Sequence, residues 1–241
     1  VVIAHELLHT MGATDKYDAT GFSGSSTNAG SNGTFNEFEG AGGDDEIIGN
    51  GNTRLAYNIA EGGVTIDLVA GTASGHASIG KDTFSGVNAV FGSFFDDEMY
   101  GSDNAANTAE TFTGFAGDDY IDGRGGFDVA AYYATTYVTS GITVDLASGV
   151  VTGGASIGTD TLRGVEGIQG THLDDVFVAT GFSNVSTNAG FSGGFNQFEG
   201  MHGNDSITGN GATRISFANA LGGVDVNLLT AIAVGGISVG T

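Results

Sequence analysis

Apolar residues recur along this chain at short intervals. GVTIDL at Gly63–Leu68 alternates apolar and polar positions, and the pattern returns in GITVDL at Gly141–Leu146 and GVDVNL at Gly223–Leu228. Such alternation is typical of a β-strand with one buried face. We therefore predict that Gly63–Gly75 and Gly141–Gly154 contribute strands to one common stack. Because no apolar run reaches the roughly 18 residues that a bilayer span needs, we expect no membrane-spanning segment.

A shorter pattern repeats every nine residues. Glycine opens each copy, aspartate holds the sixth position and an apolar residue holds the eighth. The copies are Gly40–Ile48, Gly92–Tyr100, Gly114–Asp122, Gly123–Ala131, Gly170–Val178 and Gly200–Thr208. Two related segments, Ala77–Ser85 and Ala155–Arg163, keep the aspartate and the apolar residue as Asp82 with Phe84 and Asp160 with Leu162.

Each position of the nonapeptide has a physical reason. Glycine reaches the positive φ that a tight turn needs, and it lets backbone carbonyls approach an ion. Aspartate supplies a hard anionic oxygen, which suits Ca²⁺. The eighth residue points inward from a short strand, which buries its apolar side only when neighbouring units stack against it.

A longer repeat encloses the nonapeptides. Asp18–Gly40 and Val178–Gly200 are identical at 16 of 23 positions and lie 160 residues apart, with a more divergent copy between them. The unit is therefore roughly 80 residues long, as in repeat arrays. The last copy breaks off at Ile237–Thr241, so we expect the chain to be part of a longer array.

Composition narrows the choice of partners. The formal charge is −22, and the 241 residues include 44 glycines but no cysteine. Such an excess of carboxylates opposes compaction unless cations neutralise it, and it disfavours nucleic acid as a partner. The absence of cysteine excludes disulfides and thiolate metal sites. A hydrophobic share of 40% argues against disorder.

The nonapeptides resemble the hemolysin-type, or RTX, repeat, whose pattern is GGxGxDxUx with U apolar. The resemblance covers nearly the whole chain after about residue 13 and implies an all-β, parallel β-roll or β-solenoid that binds several Ca²⁺ ions in secreted bacterial proteins. The match is weaker at Asp97 and Asp175, whose turns lack the fourth-position glycine. The calcium-binding residues that it implies are Asp45, Asp97, Asp119, Asp128, Asp175 and Asp205, with Gly40, Gly43, Gly114, Gly117, Gly123 and Gly126.

Two units depart from the pattern. GNGNTRLAY and GNGATRISF place Arg54 and Arg214 at the sixth position. A guanidinium cannot ligate Ca²⁺, but it can replace the ion by pairing with a neighbouring carboxylate. We therefore expect fewer ions than nonapeptides.

The chain begins with VVIAHELLHTMG, which contains HExxH. On a helix over residues 1–14, His5 and His9 share one face and can reach one Zn²⁺, with Glu6 as general base. With Gly12 and Asp15 the motif resembles that of the metzincins, and this resemblance implies that Asp15 is the third zinc ligand. A zinc-protease motif followed by a repeat array also resembles the serralysin-type secreted proteases. The 160-residue offset instead makes Asp15 a repeat aspartate, equivalent to Asp175.

Three functions remain open at this stage. The first is a secreted or surface-exposed calcium-binding module at residues 15–241 that folds on meeting Ca²⁺ outside the cell. The second is the C-terminal portion of a secreted zinc endopeptidase, although we expect no enzymatic activity from this chain alone. The third is an adhesin or surface-layer segment, for which no protein or carbohydrate ligand is identified.

Overall fold

The chain is all-β in the part that the computed structural model describes. That part comprises residues 36–40, 42–104, 108–133, 137–236 and 239, together with the backbone of three short strands near the N-terminus. Its residues form no helix, so none of them belongs to a helix long and apolar enough to cross a bilayer. The all-β prediction is confirmed, whereas the predicted helix over residues 1–14 lies outside the described residues.

The strands are short, as the nonapeptide pattern predicts. In chain order they are β1 (Tyr17–Asp18), β2 (Gly21–Phe22), β3 (Ser26–Thr27), β4 (Asn36–Glu39), β5 (Glu46–Ile48), β6 (Thr53–Ala56), β7 (Val64–Asp67), β8 (Thr72–Gly75), β9 (Lys81–Ser85), β10 (Ala89–Phe91), β11 (Glu98–Tyr100), β12 (Ala109–Thr113), β13 (Tyr120–Asp122), β14 (Phe127–Ala131), β15 (Thr143–Asp145), β16 (Val150–Thr152), β17 (Thr159–Arg163), β18 (Gly167–Gln169), β19 (Val176–Val178), β20 (Asn196–Glu199), β21 (Ser206–Thr208), β22 (Thr213–Ile215), β23 (Asp225–Asn227) and β24 (Ile232–Val234).

Most strands belong to two large sheets. An 8-stranded sheet has the order β22-β20-β18-β14-β12-β10-β6-β4 and is parallel throughout. A 12-stranded sheet has the order β21-β19-β15-β16-β17-β13-β11-β7-β8-β9-β5-β3 and includes antiparallel pairs. The arrangement is therefore mixed rather than uniformly parallel. Two small hairpins, β1–β2 and β23–β24, form sheets of their own.

The chain passes alternately from one large sheet to the other. We call one such passage, which adds one strand or one meander to each large sheet, a coil. Two coils contain an antiparallel meander in the 12-stranded sheet, β7–β8–β9 and β15–β16–β17, in place of a single strand. These meanders contain Gly63–Gly75 and Gly141–Gly154, so the prediction that both segments join the common stack is confirmed.

The apolar positions meet between the sheets. The eighth nonapeptide residue is buried in five copies and partly buried as Ile207 in the last; the five are Ile47, Met99, Ile121, Ala130 and Phe177. Phe84 and Leu162 occupy the same place on β9 and β17 and are also buried. Successive coils thus bury each other's single apolar residues, as a stack of short strands requires.

The strand register corrects the interpretation of the two arginines. In the register of the 8-stranded sheet, Thr53 lies beside Asn88 on the neighbouring strand. The residues at the same position on the following strands are Glu110, Asp128, Glu166, Asn196 and Thr213. Thr53 and Thr213, not Arg54 and Arg214, therefore stand at the aspartate position. The sequence alignment was wrong by one residue because the buried positions of β6 include Thr53 and Leu55, which leaves Arg54 pointing to the other face.

Arg54 does pair with a carboxylate, as expected: it forms an ion pair with Glu37 and also stacks over the Phe91 ring, 3.9 Å from the centroid. Arg214 does not, because the residue equivalent to Glu37 is Gln197, whose side-chain oxygen accepts its Nε–H.

Candidate cation-binding turns

Aspartates line the turns that lead into the 12-stranded sheet. In six of the seven aspartates named below, Oδ1 accepts a backbone N–H from the neighbouring coil, and Asp45 is the exception. Asp119 accepts from Asp97 at 2.9 Å, and Asp160 accepts from Asp119 at 3.1 Å. Asp82 and Asp205 do the same with the amides of Asp45 and Asp175. We call this row of aspartates the carboxylate ladder: Asp45, Asp82, Asp97, Asp119, Asp160, Asp175 and Asp205.

The residue before each of these aspartates, at the fifth nonapeptide position, forms a second hydrogen bond between the same two turns, in the opposite direction. Asp96 Oδ1 accepts the amide of Asp118 at 2.9 Å, while the amide of Asp97 donates to Asp119. Asp44, Asp118 and Asp174 accept in the same way from Lys81, Thr159 and Asn204. Two adjacent acidic residues thus fasten one coil to the next in both directions, which explains the recurrent Asp-Asp pair.

Asp97 and Asp175 have all their oxygens paired within the protein. Ser93 donates to Asp97 through its amide at 2.6 Å and its hydroxyl at 2.7 Å, and the Val64 amide adds a third hydrogen bond. Thr171 and the Ile142 amide surround Asp175 identically. Asp97 and Asp175 stay predicted calcium ligands, but each of their carboxylate oxygens already accepts at least one hydrogen bond from the protein.

A buried tyrosine pairs with the second oxygen of two other ladder members. Tyr57 donates its hydroxyl to Asp82 Oδ2 at 2.8 Å, and Tyr132 donates to Asp160 Oδ2 at 2.9 Å. The equivalent tyrosines lie about one long unit apart. This pairing satisfies Asp82 and Asp160 without an ion.

The remaining ladder members are less well satisfied. Among the described residues, Asp119 Oδ2 and both carboxylate oxygens of Asp45 are buried without a hydrogen-bond donor. Asp205 is half-buried, and its Oδ1 accepts the amide of Asp175. A buried carboxylate oxygen with no donor is unfavourable unless a cation or a proton compensates it.

Asp128 lies on the other side of the stack, in the 8-stranded sheet. Asp119 leads into β13 of the 12-stranded sheet, whereas Asp128 lies on β14 of the 8-stranded sheet, so the two consecutive nonapeptides serve different edges. Asp128 stacks between Glu110 and Glu166, and its amide donates to Glu166 at 3.1 Å. Buried oxygens without a donor here are Asp128 Oδ2, Glu166 Oε1 and Asn104 Oδ1. The sequence pattern did not identify Glu110, Glu166 or Asn104.

The glycines of the turns have two separate roles. Fourth-position glycines take positive φ, for example 128° at Gly117 and 126° at Gly126. Gly43 does so as well, as expected. The opening glycines Gly40, Gly114 and Gly123 do not have positive φ, so the prediction that they are glycines because the turn needs positive φ is wrong for them. Instead they leave space for a carboxylate: a Cβ on Gly114 would lie 1.8 Å from Asp119 Oδ2.

Burial raises the pKa values of the turn carboxylates whether or not their oxygens are paired: the pKa of Asp97 rises to about 6 and that of Asp160 to about 7. Burial, followed by the nearby carboxylates of Asp160 and Asp97, raises the pKa of Asp119 to about 9. Burial and then Glu110 and Glu166 raise the pKa of Asp128 to about 8. The pKa values of Asp45 and Asp205 rise to about 7, again chiefly through burial. In each case the turn disfavours a bare carboxylate.

Side-chain clusters alone do not define a metal site. Within the described residues, no three His, Cys, Asp or Glu side chains converge on a common metal position. Ca²⁺, however, also takes backbone carbonyls as ligands. The proposed zinc residues His5, Glu6, His9 and Asp15 all lie outside the described residues.

No family model matches the chain, and no curated protein matches it.

Proposed function

We propose that the chain is an extracellular calcium-binding repeat module of RTX type, in which the coil stack is a β-roll and Ca²⁺ compensates the turn carboxylates. One observation carries the proposal. Unpaired buried oxygens occur at Asp45, Asp119 and Asp128, in nonapeptides that keep the fourth-position glycine, whereas Asp97 and Asp175, in units that lack it, are fully paired.

The unpaired oxygens favour a cation over a purely structural role. A turn aspartate that only stabilises backbone has its oxygens paired, as at Asp97. Asp119 Oδ2 is buried without a donor and lies close to the backbone of Gly114, where a Cβ would be 1.8 Å from it. Carboxylate and carbonyl oxygens in an irregular turn suit Ca²⁺, which tolerates flexible coordination better than Mg²⁺ does.

On the opposite edge, Asp128 would act with Glu166 and Asn104. Their unpaired oxygens are buried on adjacent coils, and a Cβ on Gly126 would lie 1.9 Å from Asn104 Oδ1. Glu166 is fully buried, so its second oxygen needs a compensating partner, which a cation would supply. A cation here would join three successive segments of the stack.

Calcium would then control folding. With a formal charge of −22 the unfolded chain repels itself, and buried carboxylates oppose collapse when no cation is present. Because Ca²⁺ binds the folded turns and not the extended chain, its binding free energy becomes folding free energy. Millimolar calcium outside the cell would favour the folded state, and a low-calcium cytosol would not.

The test is a calcium titration followed by far-UV circular dichroism, with Mg²⁺ as the control ion. We expect a coil-to-β transition with Ca²⁺ alone, weakened most in the double variant Asp119→Ala, Asp128→Ala. Asp225→Ala, which removes an exposed carboxylate, is the matched control and should leave the midpoint unchanged. A chain that is equally folded and equally stable in chelator and in calcium, or an unchanged midpoint in the double variant, would contradict the proposal.

A further inference from the structure

The connection from β19 to β20 is long for this fold. It comprises residues 179–195, which we call the 179–195 segment, whereas residues 123–126 suffice to join β13 to β14 and residues 164–166 join β17 to β18. Connections of more than about 12–15 residues without strands or helices are uncommon in compact domains and usually serve a function. The contacts of the segment with the stack therefore indicate what it does.

The middle of the segment is fastened to the coil that contains Glu166. Asn188 is fully buried, its Oδ1 accepts the Val165 amide at 3.0 Å, and its Nδ2 donates to the Val165 carbonyl oxygen at 2.7 Å. Thr187 donates its amide to the carbonyl oxygen of Ala147 at 3.1 Å. Asn188 thus pairs with both backbone groups of Val165, as a neighbouring strand would.

This docking brings the backbone of Gly190 against the carboxylate of Glu166. A Cβ on Gly190 would overlap with Glu166 Oε1 and would lie 3.0 Å from the Gly164 Cα, so a larger residue would have to displace the carboxylate. Glu166 Oε1 is one of the buried oxygens without a donor. Burial raises the pKa of Glu166, and the backbone N–H groups of Asp128 and Ser192 oppose that rise. The segment therefore covers Glu166 from outside the coil stack.

The two copies of this sequence agree with these contacts. STNAG occurs at Ser26–Gly30 and again at Ser186–Gly190, so the residues that contact the stack in the second copy are also present in the first. The positions on either side differ: Val185 and Phe191, which are 86% and 76% exposed, stand where the first copy has serine. The repeat thus keeps the docking residues and varies the exposed ones.

Covering Glu166 is unfavourable while its carboxylate is bare. An ionised carboxylate loses its hydration when the segment closes over it, and no donor among the described residues compensates Oε1. A cation held by Asp128 and Glu166 would remove that penalty, and Ca²⁺ also takes backbone carbonyl oxygens as ligands. Closure of the segment and binding of the ion therefore favour each other.

We propose that the 179–195 segment is the outer wall of the Asp128–Glu166 cation site and that Ca²⁺ bound there docks the segment on the stack. This role rests on the proposed function, because it requires an ion beside Glu166. When calcium falls, the segment detaches before the coils separate, since releasing one connection breaks far fewer contacts than unfolding the stack.

Hydrogen–deuterium exchange with mass spectrometry, on the 241-residue chain at a series of free Ca²⁺ concentrations, tests this role. Peptides that cover residues 179–195 report on the segment, and peptides that cover β13 and β14 report on the stack. The segment should lose its protection at a free Ca²⁺ concentration at least about fivefold higher than the stack does. Glu166→Gln keeps an acceptor for the Asp128 amide but removes the charge, so its segment should stay protected until the stack itself unfolds.

Two glycine variants distinguish docking of the segment from folding of the stack. Gly190→Ala places a methyl group against Glu166 Oε1 and should expose the segment in saturating calcium while β13 and β14 stay protected. Gly194→Ala is the matched control in the same segment, because a Cβ there meets nothing closer than 3.8 Å. Circular dichroism in calcium checks that each variant is folded.

The two proposals fail in different ways. If the segment and the stack of the parent chain lose protection at the same free Ca²⁺ concentration, or if Gly190→Ala leaves the segment protected, the role of the segment is overturned. An unchanged calcium dependence of the segment in Glu166→Gln overturns it as well. If the stack is equally protected in chelator and in calcium, the proposed calcium-dependent folding fails, and the role of the segment then stands or falls with the segment's own response to calcium.

Discussion

The backbone amide of Asp97 donates to Oδ1 of Asp119, one coil further along, at 2.9 Å. The two carboxylates look alike in the sequence, yet Asp97 has three donors of its own and Asp119 has an oxygen with none. The same nonapeptide position thus provides a paired turn residue in one coil and a candidate ion ligand in the next.

Asparagine substitutions should distinguish these two roles, because in chelator they should change the free energy of unfolding in opposite directions. Asp119→Asn keeps Oδ1 and removes a buried charge, so in chelator it should raise the free energy of unfolding while reducing the response to calcium. Asp97→Asn forces an amide group against N–H and O–H donors and should cost about 1–3 kcal/mol with or without calcium. Urea denaturation of both variants in chelator and in calcium measures the difference. Equal effects of the two substitutions would contradict the assignment.

The tyrosine hydroxyls should matter although the tyrosines are not proposed as calcium ligands. Tyr132→Phe leaves Asp160 Oδ2 buried without a donor and should lower the free energy of unfolding by about 1–3 kcal/mol. Tyr57→Phe should do the same at Asp82. Tyr133→Phe is the control, because Tyr133 is 43% exposed. If all three variants unfold at the same urea concentration as the parent, the hydroxyl–carboxylate pairs contribute nothing.

Acid should stabilise the chain when calcium is absent. Burial raises the pKa values of Asp45, Asp119 and Asp128 to about 7, 9 and 8, above the roughly 3.9 of an unfolded aspartate. Between these values the folded state binds more protons than the unfolded state, so stability is present at low pH and is lost as pH rises through the folded pKa values. In chelator, the urea midpoint should fall from pH 5 to pH 9.

Calcium should change this dependence, because the ion competes with protons for the same carboxylates. With saturating calcium the fall towards pH 9 should disappear. The double variant Asp119→Asn, Asp128→Asn should flatten the slope in chelator. A midpoint that rises with pH in chelator would show that the carboxylates are compensated by other means.

The opening glycines should be intolerant of any side chain. Gly114→Ala places a methyl group 1.8 Å from Asp119 Oδ2 and should destabilise the fold and weaken calcium binding together. Gly222→Ala is a matched control, since a Cβ there meets nothing within 4 Å. Thermal unfolding in calcium compares the two variants. A Gly114→Ala chain as stable as Gly222→Ala would mean that the carboxylate can move away at little cost.

Much of this arrangement follows from the sequence because the signal is periodic. The nonapeptide predicts short strands with Ile121 and its equivalents inward, and the register confirms it. Position in a repeat, however, does not report which donors surround a carboxylate. Ser93 and Thr171 occupy an unremarkable second position, yet they determine that Asp97 and Asp175 are fully paired.

Other features depend on contacts between distant segments. Glu166 and Glu110 join Asp128 only because β12, β14 and β18 are neighbours in space. The one-residue offset at Thr53 likewise needs the strand pairing, since both alignments place glycines equally well. Tertiary register, rather than local propensity, decides these cases.

Because of the two meanders, the two large sheets differ in width although the same coils contribute to both. Hydrogen-bonded strands are spaced about 4.8 Å apart, so four additional strands lengthen the 12-stranded sheet by about 19 Å relative to the 8-stranded sheet. Because each coil ties the sheets together, we expect the longer sheet to form the outer side of a bend. An array of many such units would then follow an arc rather than a straight rod, with its curvature set by how often a meander interrupts the nonapeptides.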